Sequence, residues 1–270
     1  MSLIKALVLG VLQGLSEFLP ISSSGHLVIV EHLLNFTESG LAFEVFVHFG
    51  SLLAVVWVFH KEIIQLLKAI PAIFQLKSSR LNQERKSYAL LNIYILIASI
   101  PAALLGLVFE DQIEIIFENH LLAFAMLFVT GLIVWSSRYT TDKNKMIALS
   151  SSFLIGCAQA FAILPGISRS GSTIVAGLWL GIPRETAARF SFLMAVPVIL
   201  GATLLKLREV WINPLSPDEL RNLVLASLAA LLSGYLAIRW LLSVIRRKKL
   251  EWFGVYCMVV SLIGIVAHLF

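Results

Sequence analysis

The sequence predicts an all-α polytopic membrane protein with six transmembrane helices, two re-entrant broken helix pairs and an inverted-topology repeat. Three observations predict it. Of 270 residues, 59% are apolar and only 14% are charged, with a mean hydropathy of +0.90. A soluble domain uses about 25% charged residues to cover its surface, so this chain must be covered by lipid. That excludes a soluble enzyme or a disordered chain, and argues against nucleic-acid binding despite a net charge of +5. Second, the apolar runs are long and continuous, which a transmembrane β-barrel with its alternating strands does not produce. Third, two of these runs are broken in the middle by glycine, proline and serine, and the two breaks resemble each other.

A spanning helix needs roughly 20 apolar residues. Segments 41–59, 88–109, 121–137, 190–205, 222–242 and 252–270 meet that demand. Segments 2–36 and 146–183 are each about twice a bilayer width if helical. They are interrupted by Pro20-Ile-Ser-Ser-Ser-Gly25 and by Pro165-Gly-Ile-Ser-Arg-Ser-Gly171. Non-helical backbone at membrane depth survives only where protein or a wet cavity shelters it. Cys157 and Cys257 lie in apolar runs and read as small buried hydrophobes, and no cleavable leader is expected at the N-terminus.

Basic residues orient the spans. Lys61, Lys68, Lys77, Arg80, Arg85 and Lys86 mark one loop; Arg138, Lys143 and Lys145 a second; Arg246, Arg247, Lys248 and Lys249 a third. Positive-inside bias places all three in the cytoplasm and the acidic 110–120 segment outside. Lys206, Arg208 and Arg221 then lie outside, offset by Glu209, Asp218 and Glu219. His60, Lys61 and the charges of 76–87 read as a solvated loop. These placements require 146–183 to enter and leave on one side, as either a hairpin or a re-entrant loop.

The repeat decides between them. At an offset of 146, Gly10, Gln13, Ile21, Ser22, Ser24 and Gly25 fall on Gly156, Gln159, Ile167, Ser168, Ser170 and Gly171. Each half, about 1–138 and about 146–270, then reads as a broken segment followed by three spans. An odd number of crossings per half inverts one half against the other, and broken helices of inverted repeats meet near the midplane to form a site.

Ionisable groups at that depth are costly and are functional candidates. The first break holds Glu17 and His26 around Ser22, Ser23 and Ser24; the second holds Arg169. The offset matches Glu17 with Ile163, Ser23 with Arg169 and His26 with Ser172, so the halves offer complementary groups. That set suits a phosphate ester or anhydride. Arg169 can grip phosphate oxygens and neutralise charge in the transition state, and glycine-rich breaks aim backbone N–H groups at an anion. The hydroxyls of Ser168, Ser170, Ser172 and Thr173, with Ser22 and Ser24 opposite, are expected to bind phosphate. Gln13 and Glu17, spaced i, i+4, can offer oxygens to a hard divalent cation, and His26 can serve as base, acid or nucleophile. Glu44 and His48 read as supporting or interfacial groups, Gln159 as packing.

These motifs resemble those of the membrane undecaprenyl-diphosphate phosphatases, or bacitracin-resistance proteins. The family's (E/Q)xxxE motif stands here as Gln13-Gly-Leu-Ser-Glu17, and its PGxSRSxxT motif as Pro165-Gly-Ile-Ser-Arg-Ser-Gly-Ser-Thr173. The resemblance implies hydrolysis of undecaprenyl diphosphate to undecaprenyl phosphate and inorganic phosphate, which recycles the lipid carrier for peptidoglycan and other envelope polymers. By position it makes Glu17 the essential carboxylate, puts Ser23, His26 and Arg169 in the catalytic centre, and gives Ser168, Ser170 and Thr173 to phosphate binding. It further implies Mg²⁺ or Ca²⁺ near Gln13 and Glu17, a bacterial plasma-membrane location and a site open to the external face. Gln13 in place of glutamate leaves the cation one carboxylate instead of two. The nucleophile stays open among Ser23, His26 and water, and a homodimer is allowed, not required. The competing reading is a transporter or flippase of a phosphorylated polyprenyl lipid, which needs the arginine and hydroxyls but no nucleophile-and-base pair. A lipid phosphatase with an SR-x₅-H segment is excluded, because no histidine occurs between His120 and His268.

Overall fold

In the computed structural model, residues 2–33, 41–78, 81–117, 119–212 and 215–269 are described. Residues 34–36 of the first broken segment, Arg80, Glu118 and residue 270 lie outside them. Among the described residues the chain forms twelve α-helices, two 3-10 turns and no strand.

Each expected broken segment is a pair of half-helices. The first is α1 (Leu3–Phe18) and α2 (Ser23–Leu33). Then come α3 (Leu41–Val58), α4 (His60–Ala69), α5 (Gln83–Val108), α6 (Glu110–Phe117) and α7 (His120–Ser136). The second pair is α8 (Leu149–Phe161) and α9 (Arg169–Trp179), followed by α10 (Arg184–Ile212), α11 (Pro217–Arg246) and α12 (Glu251–Leu269). At 1.5 Å per residue, helices of 16, 11, 13 and 11 residues reach about 16–24 Å, short of a hydrocarbon core of about 30 Å. Five helices, α5, α7, α10, α11 and α12, are long and apolar enough to cross a membrane, and α3 makes a sixth if its bent continuation counts as one span. Large apolar side chains such as Leu107, Leu205, Leu236 and Ile263 stand exposed, as a lipid-facing surface requires. The protein is therefore a multi-pass membrane protein.

Two segments expected as loops are helical. After α3 the chain bends by 85° and continues as α4 and a 3-10 turn over Ile70–Gln75. Its apolar residues recur at helical spacing between Lys61, Glu62, Gln65 and Lys68, and Ile64, Leu67, Ile70 and Phe74 remain exposed, the pattern of a helix lying along an interface. The acidic segment after α5 likewise forms α6.

The half-helices pack on spans of the opposite half. α1 lies against α11 and α8 against α5; α3 meets α10 and α11, and α7 meets α12. In chain order α1, α2, α3, α5 and α7 correspond to α8, α9, α10, α11 and α12, the first three pairs at the offset of 146, and exchanging the halves maps α1–α11 onto α5–α8 and returns α3–α10 and α7–α12 to themselves. Close approach needs glycine: a Cβ on Gly10 would collide with the carbonyl of Ala226, and one on Gly156 with that of Ala98. Small residues at such contacts are how membrane helices pack without a hydrophobic drive between them. Near the first break, fully buried Phe18 packs edge-on against Phe192 of α10, ring centroids 5.8 Å apart, which fixes the neighbouring Glu17.

Candidate active site

The breaks at residues 19–22 and 162–168 touch. Gly166 N donates to Ser24 Oγ at 3.2 Å, and Ser170 Oγ donates to the carbonyl of Leu19 at 3.2 Å. Each break starts a new half-helix with a serine cap: Gly25 N donates to Ser22 Oγ and Gly171 N to Ser168 Oγ. The chain reverses at Ser22 through a left-handed conformation (φ +68°) and in the second break through Gly166 (φ +87°). Two helix N-termini, with their orphan N–H groups and positive dipole ends, therefore abut at the contact.

Ser23 is the first residue of α2 and Arg169 the first of α9, and both reach the carboxylate of Glu17. Arg169 Nη2 donates to Glu17 Oε1 at 2.5 Å, and Ser23 Oγ donates to Glu17 Oε2 at 2.9 Å. Gln13, one turn earlier on α1, donates Nε2 to the same Oε2 at 3.2 Å. The Glu17 and Arg169 side chains retain 9% and 17% exposure, enough for a ligand to reach them. Arg169 Nη1 and Gln13 Oε1 are buried without a hydrogen-bond partner. A buried guanidinium N–H and amide oxygen left unpaired beside a carboxylate are costly and call for a ligand. His48 of α3 stands at the rim, with Nε2 3.9 Å from Glu17 Oε2 and Nδ1 on the carbonyl of Glu44 at 2.8 Å.

The expected residues divide into two groups. Glu17, Ser23, Arg169 and Gln13 converge. The hydroxyls of Ser22, Ser24, Ser168, Ser170 and Thr173 are engaged in holding the breaks together. Ser22 and Ser168 cap their helices, with Ser22–Ser24 and Ser168–Ser170 hydroxyl contacts of 3.2 and 3.3 Å. Thr173, fully buried, bonds to the carbonyl of Arg169 at 2.8 Å and to Ser191 Oγ of α10 at 2.6 Å. Ser172 Oγ is buried and unpaired.

His26 is not bonded to Ser23. Its Nδ1 lies 2.9 Å from the carbonyl of Ser22 and its Nε2 2.8 Å from the hydroxyl of Tyr256 on α12. Tyr256 is a contact that sequence reasoning missed; 230 positions separate it from His26, in an ordinary apolar span.

No group of three or more His, Cys, Asp or Glu side chains able to hold a metal occurs among the described residues. Glu17 and Gln13 instead supply one carboxylate and one unpaired amide oxygen. That fits Mg²⁺ or Ca²⁺ bound together with substrate oxygens, the usual mode for a cation that keeps its waters and bridges phosphates, and does not fit a cage built by protein alone.

A family described as bacitracin resistance protein BacA matches residues 6–263. A protein of Methanobrevibacter smithii named undecaprenyl-diphosphatase is 42% identical, with 100% of both chains covered. Proteins of the same name from Desulforapulum autotrophicum and Moorella thermoacetica are 40% and 42% identical, covering 99% and 95% of this chain and 99% and 94% of theirs.

Proposed function

The chain belongs to the bacitracin resistance protein BacA family, and from that membership and the geometry of the two breaks we propose how it hydrolyses undecaprenyl diphosphate to undecaprenyl phosphate and inorganic phosphate. The observation that carries the mechanism is Glu17, held by Arg169 at 2.5 Å and by Ser23 at 2.9 Å on its two oxygens. On this reading Ser23 serves as nucleophile, Glu17 as proton acceptor and Arg169 as phosphate-binding cation, where two helix N-termini favour an anion.

The terminal phosphate of the lipid diphosphate binds at the free Nη1 of Arg169. Ser23 Oγ attacks its phosphorus as Glu17 Oε2 takes the hydroxyl proton. The bridging P–O bond breaks, undecaprenyl phosphate leaves, and a phosphoserine remains. Water then attacks that phosphorus, releases inorganic phosphate and restores the Ser23 hydroxyl. Arg169 stabilises the charge that builds on the equatorial oxygens in both steps. Glu17, not His26, is the partner of Ser23; His26, with both ring nitrogens bonded elsewhere, is assigned to the proton transfers of the second step. Bound between Glu17, Gln13 and the diphosphate, a divalent cation would neutralise phosphate charge. The Ser23–Glu17 bond favours chemistry over carriage, since an anion carrier has no use for an activated serine.

An inverted relation between residues about 1–138 and 146–270 is supported by the interfaces that survive exchange of the halves. The basic segments 61–86, 138–145 and 246–249 are assigned to the cytoplasm and the protein to the plasma membrane. His48, its side chain 36% exposed at the rim, lies two turns from the end of α3 opposite the basic loop, which favours access from the external face.

The test is phosphate release from undecaprenyl diphosphate by the purified protein, with and without EDTA, beside Ser23→Ala. The mechanism expects release that needs the cation and falls by about 10³-fold or more without the serine, as for other activated nucleophiles acting as a unit with their base. A Ser23→Ala protein with near-normal turnover would make water or His26 the nucleophile.

A further inference from the structure

Tyr256 contributes to the site from the far end of the sequence. Its hydroxyl lies 2.8 Å from His26 Nε2, and the two rings are stacked, centroids 5.6 Å apart and planes 13° apart. The other ring nitrogen, Nδ1, lies 2.9 Å from the carbonyl oxygen of Ser22. A carbonyl only accepts, so Nδ1 carries the proton; in a neutral imidazole Nε2 is then the acceptor, and the phenol must donate to it. Ser22 can offer that carbonyl because its left-handed backbone turns it toward the first turn of α2, where it also accepts the backbone N–H of His26 at 3.2 Å.

The position of Tyr256 is itself tightly held. Cys257, next to it, is fully buried with Sγ 3.7 Å from the carbonyl of Pro20. Ser261, one turn on, donates to the carbonyl of Phe124 on α7 at 2.6 Å. Gly131 of α7 and Gly254 of α12 bring the two backbones into contact, leaving no room for a Cβ at either position. α12 is thus docked by the Gly254 contact before Tyr256 and by two hydrogen bonds after it. The tyrosine keeps 45% exposure, so packing alone does not account for where its hydroxyl points.

We propose that Tyr256 is a positioning residue for His26: while the Ser22 carbonyl sets the Nδ1-protonated tautomer, the Tyr256 hydroxyl donates to Nε2 and fixes the ring plane. The proposal rests on the reading of His26 as a proton-handling group in the hydrolysis. It assigns to α12 a part in a reaction whose other groups come from α1, α2 and α9.

Tyr256→Phe tests it, because the ring and its stacking on His26 stay while the hydroxyl goes. In detergent-purified protein labelled with ¹⁵N-histidine, the wild type is expected to give the His26 signature of Nδ1–H with an unprotonated Nε2. The variant is expected to keep Nδ1–H, set by the Ser22 carbonyl, and to show an Nε2 resonance shifted to that of a nitrogen that accepts no hydrogen bond. Turnover of undecaprenyl diphosphate should fall about tenfold to a hundredfold in kcat, with KM little changed, the range of a general acid–base contribution. His26→Gln combined with Tyr256→Phe should lose no more than His26→Gln alone, because the two act as one unit. An unchanged Nε2 resonance in Tyr256→Phe overturns the proposal, whether activity is retained or lost along with thermal stability. Additive losses in the double variant overturn it too. Full activity of His26→Gln would instead refute the proton role of His26, an outcome distinguishable because the Nε2 resonance is read without turnover.

Discussion

In the first break Gly25 N caps onto Ser22 Oγ at 3.2 Å, and in the second Gly171 N caps onto Ser168 Oγ at 3.1 Å. The carbonyl of Ser22 accepts the amide of His26 at 3.2 Å, and that of Ser168 accepts the amide of Ser172 at 2.9 Å. Both breaks pair the capping serine with the serine two residues on, and both glutamines, Gln13 and Gln159, keep a buried unpaired oxygen. At the positions between these, the breaks differ. Glu17 stands against Ile163, Ser23 against Arg169, and His26 against Ser172. The shared positions build the same capped turn twice; the unshared ones place a carboxylate and a hydroxyl on one side and a guanidinium on the other. A symmetric pair of breaks would put like groups together. In the proposed mechanism, divergence at three positions turns a packing contact between repeats into a nucleophile, a proton acceptor and an anion clamp.

The comparison breaks most severely at Glu17. Glu17→Gln removes the acceptor of the Ser23 proton and the partner of Arg169, and phosphate release should fall by roughly 10³-fold or more, since breaking a buried pair also leaves an uncompensated charge. The glycines of the breaks should separate next. Gly166 has φ +87° and its added Cβ would strike the carbonyl of Ala123, whereas a Cβ on Gly25 would meet its nearest neighbour, Ser22 Oγ, at 3.4 Å. Gly166→Ala should cost about 3 kcal/mol or more of stability and Gly25→Ala about 1 or less, read from thermal denaturation in detergent. Similar melting temperatures for the two would show that the turns are not built as described.

Thr173 sharpens the division between scaffold and chemistry. As a brace between α9 and Ser191, its loss in Thr173→Val should cost about 1–2 kcal/mol of stability and only a few-fold in kcat. A drop of 10² or more in kcat at unchanged stability would return it to phosphate binding. The smallest effect is expected at the shared glutamine. Gln13→Glu adds a second carboxylate beside Glu17, and the Mg²⁺ concentration that gives half-maximal activity should fall a few-fold, because cation affinity follows ligand charge.

Much of this was legible in the sequence, for identifiable reasons. Glu17 and Arg169 could be assigned to one site before any coordinates because each is a charge stranded in a broken apolar run and the offset of 146 set the two runs against each other; their direct ion pair was not expected. The serines pointed to the site without revealing what they do there. A hydroxyl beside a break suits a helix cap and a phosphate equally, and the sequence carries no sign of the bonds made to Gly25, Gly171, Leu19 and Gly166. α4 was concealed by its charges, although Ile63, Leu66, Leu67 and Ile70 carry a helical period between them. Tyr256 left no local sign at all. Its relation to His26 depends on how α12 docks on α7, which glycines at 131 and 254 permit but do not announce.

The most direct test of a site assembled from both halves is the turnover of undecaprenyl diphosphate by Arg169→Ala, measured as phosphate release beside the wild type at equal folded concentration. Arg169 is the contribution of the second break, so its loss should lower kcat/KM by about 10²–10³-fold, the effect of removing a preorganised donor to developing charge, with the protein still folded. Near-wild-type turnover from a folded Arg169→Ala protein would place the chemistry in the first break alone and contradict the account.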